Sequence, residues 1–161
     1  MTAIALHQFS SVTSSSASAL AGFVDQQRQG LWAQLQRSYA LGQQEKGSIN
    51  ELYGVFADCR QANWDGYGAL PVSARAFQSA YEVLKALPLG TPAPSIGAEP
   101  DGHITLEWYR SPRRTLSISV SPESDLHYAA LIGSSKAYGT EPFFGEMPRE
   151  IMNLIRRVTS A

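Results

Sequence analysis

From His103 to Ile132 apolar and polar residues alternate in three successive runs, and this restricts the chain to folds built on half-buried antiparallel strands. The first run puts Ile104, Leu106 and Trp108 on one face and His103, Thr105, Glu107 and Tyr109 on the other. Ser111-Pro112-Arg113 then turns the chain, and Thr115 to Ser121 repeats the pattern with Leu116, Ile118 and Val120. After Pro122-Glu123-Ser124, the run from Asp125 to Ile132 points Leu126, Tyr128 and Ala130 to the same side. Upstream, Glu99-Pro100-Asp101-Gly102 suits a three-residue hairpin loop, with proline and aspartate in a type I turn and glycine in the left-handed position. That loop length sets Ala98 opposite Ile104 and Ile96 opposite Leu106, whereas a two-residue loop would set Ile96 against Glu107.

A sheet with one greasy face needs helices to cover it. Ser73 is placed to cap a helix reaching about Leu87, with Phe77, Ala80, Tyr81, Leu84 and Leu87 as its inner stripe. Ser48-Ile49-Asn50-Glu51 has the form of a capping box and predicts a helix from Ile49, whose face Ile49, Leu52, Val55, Phe56 and Cys59 is apolar. Pro148 opens a last helix through Ile151, Leu154, Ile155 and Val158. Residues 133–145 read as loop, with Lys136-Ala137-Tyr138 as a short edge strand. The expected fold is α+β, an antiparallel three- to four-stranded meander with one face covered by helices, preceded by an N-terminal helical region.

Between the first two of these helices lies Asn63-Trp64-Asp65-Gly66-Tyr67-Gly68-Ala69-Leu70-Pro71-Val72. Trp64 and Tyr67 each carry a large ring with one polar handle, which predicts that both anchor the segment. Asp65-Gly66 is a turn pair and Gly68 supplies further backbone freedom. The stretch reads as a rigid elbow, and Trp64, Asp65 and Tyr67 are its candidate ligand-binding or structural residues.

Residues 1–18 contain the run Ser10-Ser11-Val12-Thr13-Ser14-Ser15-Ser16-Ala17-Ser18, too poor in apolar surface to offset the entropy of ordering, and we expect a disordered leader. Residues 19–45 form a separate unit in which Leu20, Val24, Leu31, Leu35 and Tyr39 fall near helical spacing, joined by Phe23 and Trp32. Its other face carries Gln26, Gln27, Gln29, Gln34, Gln36, Gln43 and Gln44, an uncharged amphipathic helix suited to its own core or to a partner. Residues 46–161 make the compact α+β domain.

A net charge of −1, from 13 basic and 14 acidic residues, provides no general field towards nucleic acid or an anionic membrane. The single cysteine excludes an internal disulfide and a cysteine zinc site, and favours a reducing compartment. No basic, apolar-cored secretory signal opens the chain, and no apolar run approaches the roughly 18 to 20 residues that span a bilayer. A cytoplasmic protein without membrane association is expected.

The elbow motif Asn63-Trp64-Asp65-Gly66-Tyr67-Gly68-Ala69-x-Pro71, followed by a helix and then by Asp101-Gly102-x-Ile104-x-Leu106-Glu107-Trp108, resembles a group of small uncharacterised bacterial proteins. The resemblance spans roughly residues 49 to 157. It implies the α+β fold and a bacterial or mobile-element origin, and it brings no activity with it.

Chemistry finds little support in the pattern. Of His7, His103 and His127, the first lies in the leader. The register pairs Glu107 with Ser117 and His127 with Ser119, which separates Glu107 from His127 by about 10 Å across an intervening strand. The same spacing is expected between His103 and His127, against a shared metal ion. No phosphate-binding glycine loop is present. Arg110, Arg113 and Arg114 with Arg156-Arg157 are the candidate nucleic-acid contacts, opposed by the acidic balance and by the inward Trp108. We therefore expect no catalytic residue, metal or cofactor, and a protein partner or self-association through Phe23, Trp32, Tyr109 and Leu131. The alternative is a small-molecule or enzymatic site at the Asn63–Val72 elbow.

Overall fold

The computed structural model describes residues 46–160, all within one compact unit, Leu41–Ala161. The leader, the Gln-rich segment, Phe23 and Trp32 lie outside the described residues. Helix α1 occupies 46–59, α2 is Ala74–Lys85 and α3 is Arg149–Thr159. The strands are β1 (Ser95–Ala98), β2 (Ile104–Ser111), β3 (Arg114–Val120), β4 (Asp125–Ile132) and β5 (Ser135–Pro142). They form one antiparallel sheet in the order β1-β2-β3-β4-β5.

The register follows from alternation and turn length. Ala98 faces Ile104 and Ile96 faces Leu106, while Gly102 takes φ +88 and its N–H bonds the Glu99 carbonyl at 2.9 Å. Glu107 faces Ser117, and Ser119 faces His127. Ile104, Leu106, Trp108, Leu116, Ile118, Val120 and Leu126 are buried on the inner face, where α2 lies on β2 and β3, and α3 on β2, β3 and β4. Neither of these helices reaches β5.

Several local expectations need correction. The edge strand is eight residues long and not three, because Tyr128 opposite Gly139 supplies the apolar surface that the strand's own small residues lack. A Cβ on Gly139 would stand 2.7 Å from the Tyr128 Oη, so the ring needs a glycine there. The helix expected from Ile49 already runs through residue 46, and Ser48 is buried inside it. Glu51 does not close a capping box: its Oε1 accepts the Ile96 N–H of β1 at 2.9 Å.

On α2, capped as expected by the Ser73 hydroxyl, the buried positions are Ala76, Ser79, Ala80, Val83 and Leu84. Phe77 and Tyr81 sit half-buried at the margin, where Phe77 meets Tyr53 and Phe56 at ring separations of 5.0 and 4.9 Å. The stripe is rotated because aromatics from α1 and α2 pack against each other beside the sheet.

Candidate functional site

The elbow is held by its own backbone. Asn63 adopts φ 63, tolerated by asparagine, and its N–H bonds the Ala69 carbonyl at 2.7 Å while its Oδ1 accepts the Gly68 N–H at 2.7 Å. Asp65 Oδ1 accepts the N–H groups of Tyr67 at 2.8 Å and Ala69 at 3.0 Å. These two bonds hold the Asp65 carboxyl below its ordinary pKa, Tyr67 contributing most and Ala69 next. Trp64 Nε1 donates to the Leu70 carbonyl at 3.0 Å, which makes it the anchor expected.

Tyr67 is not an anchor: it is 95% exposed at the tip. With glycines at φ +77 and +95 on either side, the backbone reverses and leaves the ring no wall to pack on. The elbow therefore points its carboxylate inward and its phenol outward, and the two do not converge on a common ligand position. At its far end it docks on the β1–β2 turn, where Leu70 N–H bonds the Pro100 carbonyl at 2.8 Å, and on the end of α1, where Val72 N–H bonds the Cys59 carbonyl at 2.9 Å. Cys59 is buried, and burial, with the Asp58 carboxylate second, raises its thiol pKa, so it has little thiolate character.

The outer face of the sheet brings the other predicted residues together. Tyr109, Thr115, Leu131 and Lys136 succeed one another across β2 to β5, and Glu107, Ser117, Ala129 and Tyr138 form the next row. Tyr109 is 62% exposed and Tyr138 is 82% exposed. Thr115, Ser117, Ala129, Leu131, Lys136 and Tyr138 line a shallow concavity of about 460 Å³. The sequence pointed to Tyr109 and Leu131 but not to Tyr138, because the full extent of β5 was not legible.

At the other end of the same face, His103 and His127 lean together over Ser119, with ring centroids 5.9 Å apart and planes at 9°. Backbone spacing across two strands overstated their separation, since a small serine between them lets both side chains tilt. His103 Nδ1 lies 3.1 Å from the Ser119 Oγ, and His127 Nδ1 lies 2.8 Å from the Thr140 Oγ1. Parallel rings direct their nitrogen lone pairs along parallel planes, which disfavours a single ion between them.

Glu99, Asp101 and His103, alternate residues around the β1–β2 turn, have ligand atoms within 4.8 Å of one another. Donors each about 2.1 Å from one ion lie at most about 4.2 Å apart, so the group would have to contract to hold a metal. Each donor already has a protein partner: Thr105 donates to Glu99, Asp101 lies 3.6 Å from His103, and His103 meets Ser119.

Two of the three arginines at the β2–β3 tip, Arg110 and Arg114, are also engaged. Arg114 donates to the carbonyls of Arg157 at 2.8 Å and Ser160 at 2.6 Å, and Arg110 donates to that of Thr159 at 3.2 Å. Both guanidinium groups thus cap the C-terminal end of α3.

No protein-family model matches the chain, and comparison with curated proteins and with solved structures finds no match. Among the described residues no helix is long and apolar enough to cross a membrane.

Proposed function

We propose that this chain is a non-enzymatic protein–protein interaction module that engages its partner through the outer face of the sheet, in a mobile-element, toxin–antitoxin or phage-defence setting in the bacterial cytoplasm. The observation that carries the reading is the outer face itself. Tyr109 and Tyr138 stand exposed on neighbouring rows of the sheet, and Tyr138, Leu131 and Ala129 line the concavity between β3 and β5. Aromatic groups on a rigid support bind with little loss of conformational freedom, and such residues dominate interface energetics. The imidazoles of His103 and His127 and the carboxylates of Asp65 and Glu99 are already bonded to local hydroxyl and backbone groups, which favours binding over turnover.

The test compares affinity capture of the tagged full chain with that of a Tyr109→Ala, Leu131→Ser double variant from native cells. A stoichiometric companion held by the wild type and released by the variant supports the reading. A companion retained equally by both contradicts it.

A further inference from the structure

We propose that β5 pairs antiparallel with β5 of a second copy about a two-fold axis at Tyr138, joining two sheets edge to edge. This rests on the interaction reading and deepens it by assigning the backbone edge of β5, whose Tyr138 ring also borders the outer-face concavity, to self-association. Its phase is fixed from both ends. The two-residue loop Gly133-Ser134 makes Ile132 and Ser135 the closing, bond-exchanging pair of the β4–β5 hairpin. At the other end Phe143 N–H bonds the Ser124 carbonyl at 2.9 Å, which is in phase with that pair. Ser135, Ala137, Gly139 and Glu141 therefore direct their backbone groups at β4, and Lys136, Tyr138 and Thr140 direct theirs outward. Among the described residues nothing takes these outward groups.

An antiparallel two-fold pairing must keep opposed residues on one face of the joined sheet. Centred on Tyr138, it sets Tyr138 against its own copy and Lys136 against Thr140, so that all three outward positions exchange backbone bonds. On the inner face Ala137 meets Gly139 and Glu141 meets Ser135, with no bulky clash and no like charges opposed. Centring on Gly139 would set Lys136 against Pro142, which has no N–H to donate. Centring on Ala137 would set Thr140 against the turn residue Ser134. The Tyr138 register is the one that uses every open donor, and it adds a cross-strand pair of aromatic rings.

The full chain should sediment as a reversible dimer. Thr140→Pro removes one outward donor from each copy, while the Thr140 N–H is not used within the hairpin. It should raise the dimer dissociation constant roughly tenfold or more and leave near-UV circular dichroism unchanged. Thr140→Ala, which loses only the hydroxyl bonded to His127, should dimerise like the wild type. Thr140 does not line the outer-face concavity, so loss of dimer with retained partner capture separates this proposal from the face reading.

A second pair of variants tests the register even if the proline variant misfolds. Tyr138→Cys brings equivalent Cα atoms to about 5.5 Å, within disulfide range, and should form a covalent dimer under mild oxidation. Lys136→Cys leaves them about 14 Å apart and should not. A wild type that sediments only as monomer, a Thr140→Pro variant that dimerises as tightly as wild type, or equal cross-linking at both positions overturns the proposal.

Discussion

β1 and β5 close the same sheet at opposite edges in opposite ways. β1 is four residues long, and the N–H that Ile96 turns away from β2 is taken by Glu51 of α1 at 2.9 Å. Its turn to β2 is pressed against the elbow through Leu70 and Pro100. β5 is eight residues long, and neither α2 nor α3 reaches it. Its inner face carries only Ser135, Ala137, Gly139 and Glu141, with Tyr128 from β4 lying against the glycine. Natural sheets shorten, cover or charge an edge to prevent pairing. Here the first edge is short and covered, while β5 has Lys136 towards one end and Glu141 and Pro142 at the other, and the stretch 137–140 between them carries neither a charge nor a proline. The contrast shows where the chain has spent its local interactions on closing itself and where it has left a surface to be met.

The two turn glycines sharpen the contrast most. Gly102 has φ +88, and a Cβ there would stand 2.9 Å from the Pro71 carbonyl oxygen. Gly133, in the β4–β5 turn, has φ +66 with nothing within 4 Å. Gly102→Ala should cost about 2–3 kcal/mol, from backbone strain together with the clash, whereas Gly133→Ala should cost about 1 kcal/mol from strain alone. Chemical denaturation of both variants gives the difference, and equal losses would show that the elbow does not brace the first edge. Next in size is Glu51→Ala, which leaves the Ile96 N–H without its carboxylate and should cost about 1 kcal/mol. Glu51→Gln keeps an acceptor and should lose less. Faster amide exchange at Ile96 in the alanine variant would locate the effect.

The smallest expected effect lies in the elbow, through pH. Asp65 has a depressed carboxyl pKa in the folded chain, so the stability it adds is fully present above the ordinary aspartate value of about 3.9. That stability fades as pH falls through the lower folded value. The stability gap between wild type and Asp65→Asn should be constant near neutrality and shrink in acid. A gap that grows in acid would mean that the carboxylate is not held by the Tyr67 and Ala69 N–H groups.

The guarded side of the molecule was the more legible in sequence. Period-two alternation and the length of the Pro100-Asp101-Gly102 loop determine the pairing of Ile96 with Leu106 and of Glu107 with Ser117, because a slip by one residue would turn the core face to solvent. The bare side was not legible at full length. Ala137 and Gly139 give no hydrophobic signal, and the ring that completes their face belongs to Tyr128 on another strand. At the elbow, Trp64 and Asp65 were readable from side-chain chemistry, but the exposure of Tyr67 depends on three left-handed residues acting together. The approach of His103 to His127 depends on the small Ser119 between them, which strand spacing alone does not express.

The most direct measurement is residue-resolved amide hydrogen exchange of the full chain at low and high protein concentration. The Ile96 amide should be protected equally at both, being bonded within the copy, while the Lys136, Tyr138 and Thr140 amides should exchange freely when dilute and become protected when concentrated. Exchange at those three amides that does not change with concentration would contradict the account of β5 as the edge left open for a second copy.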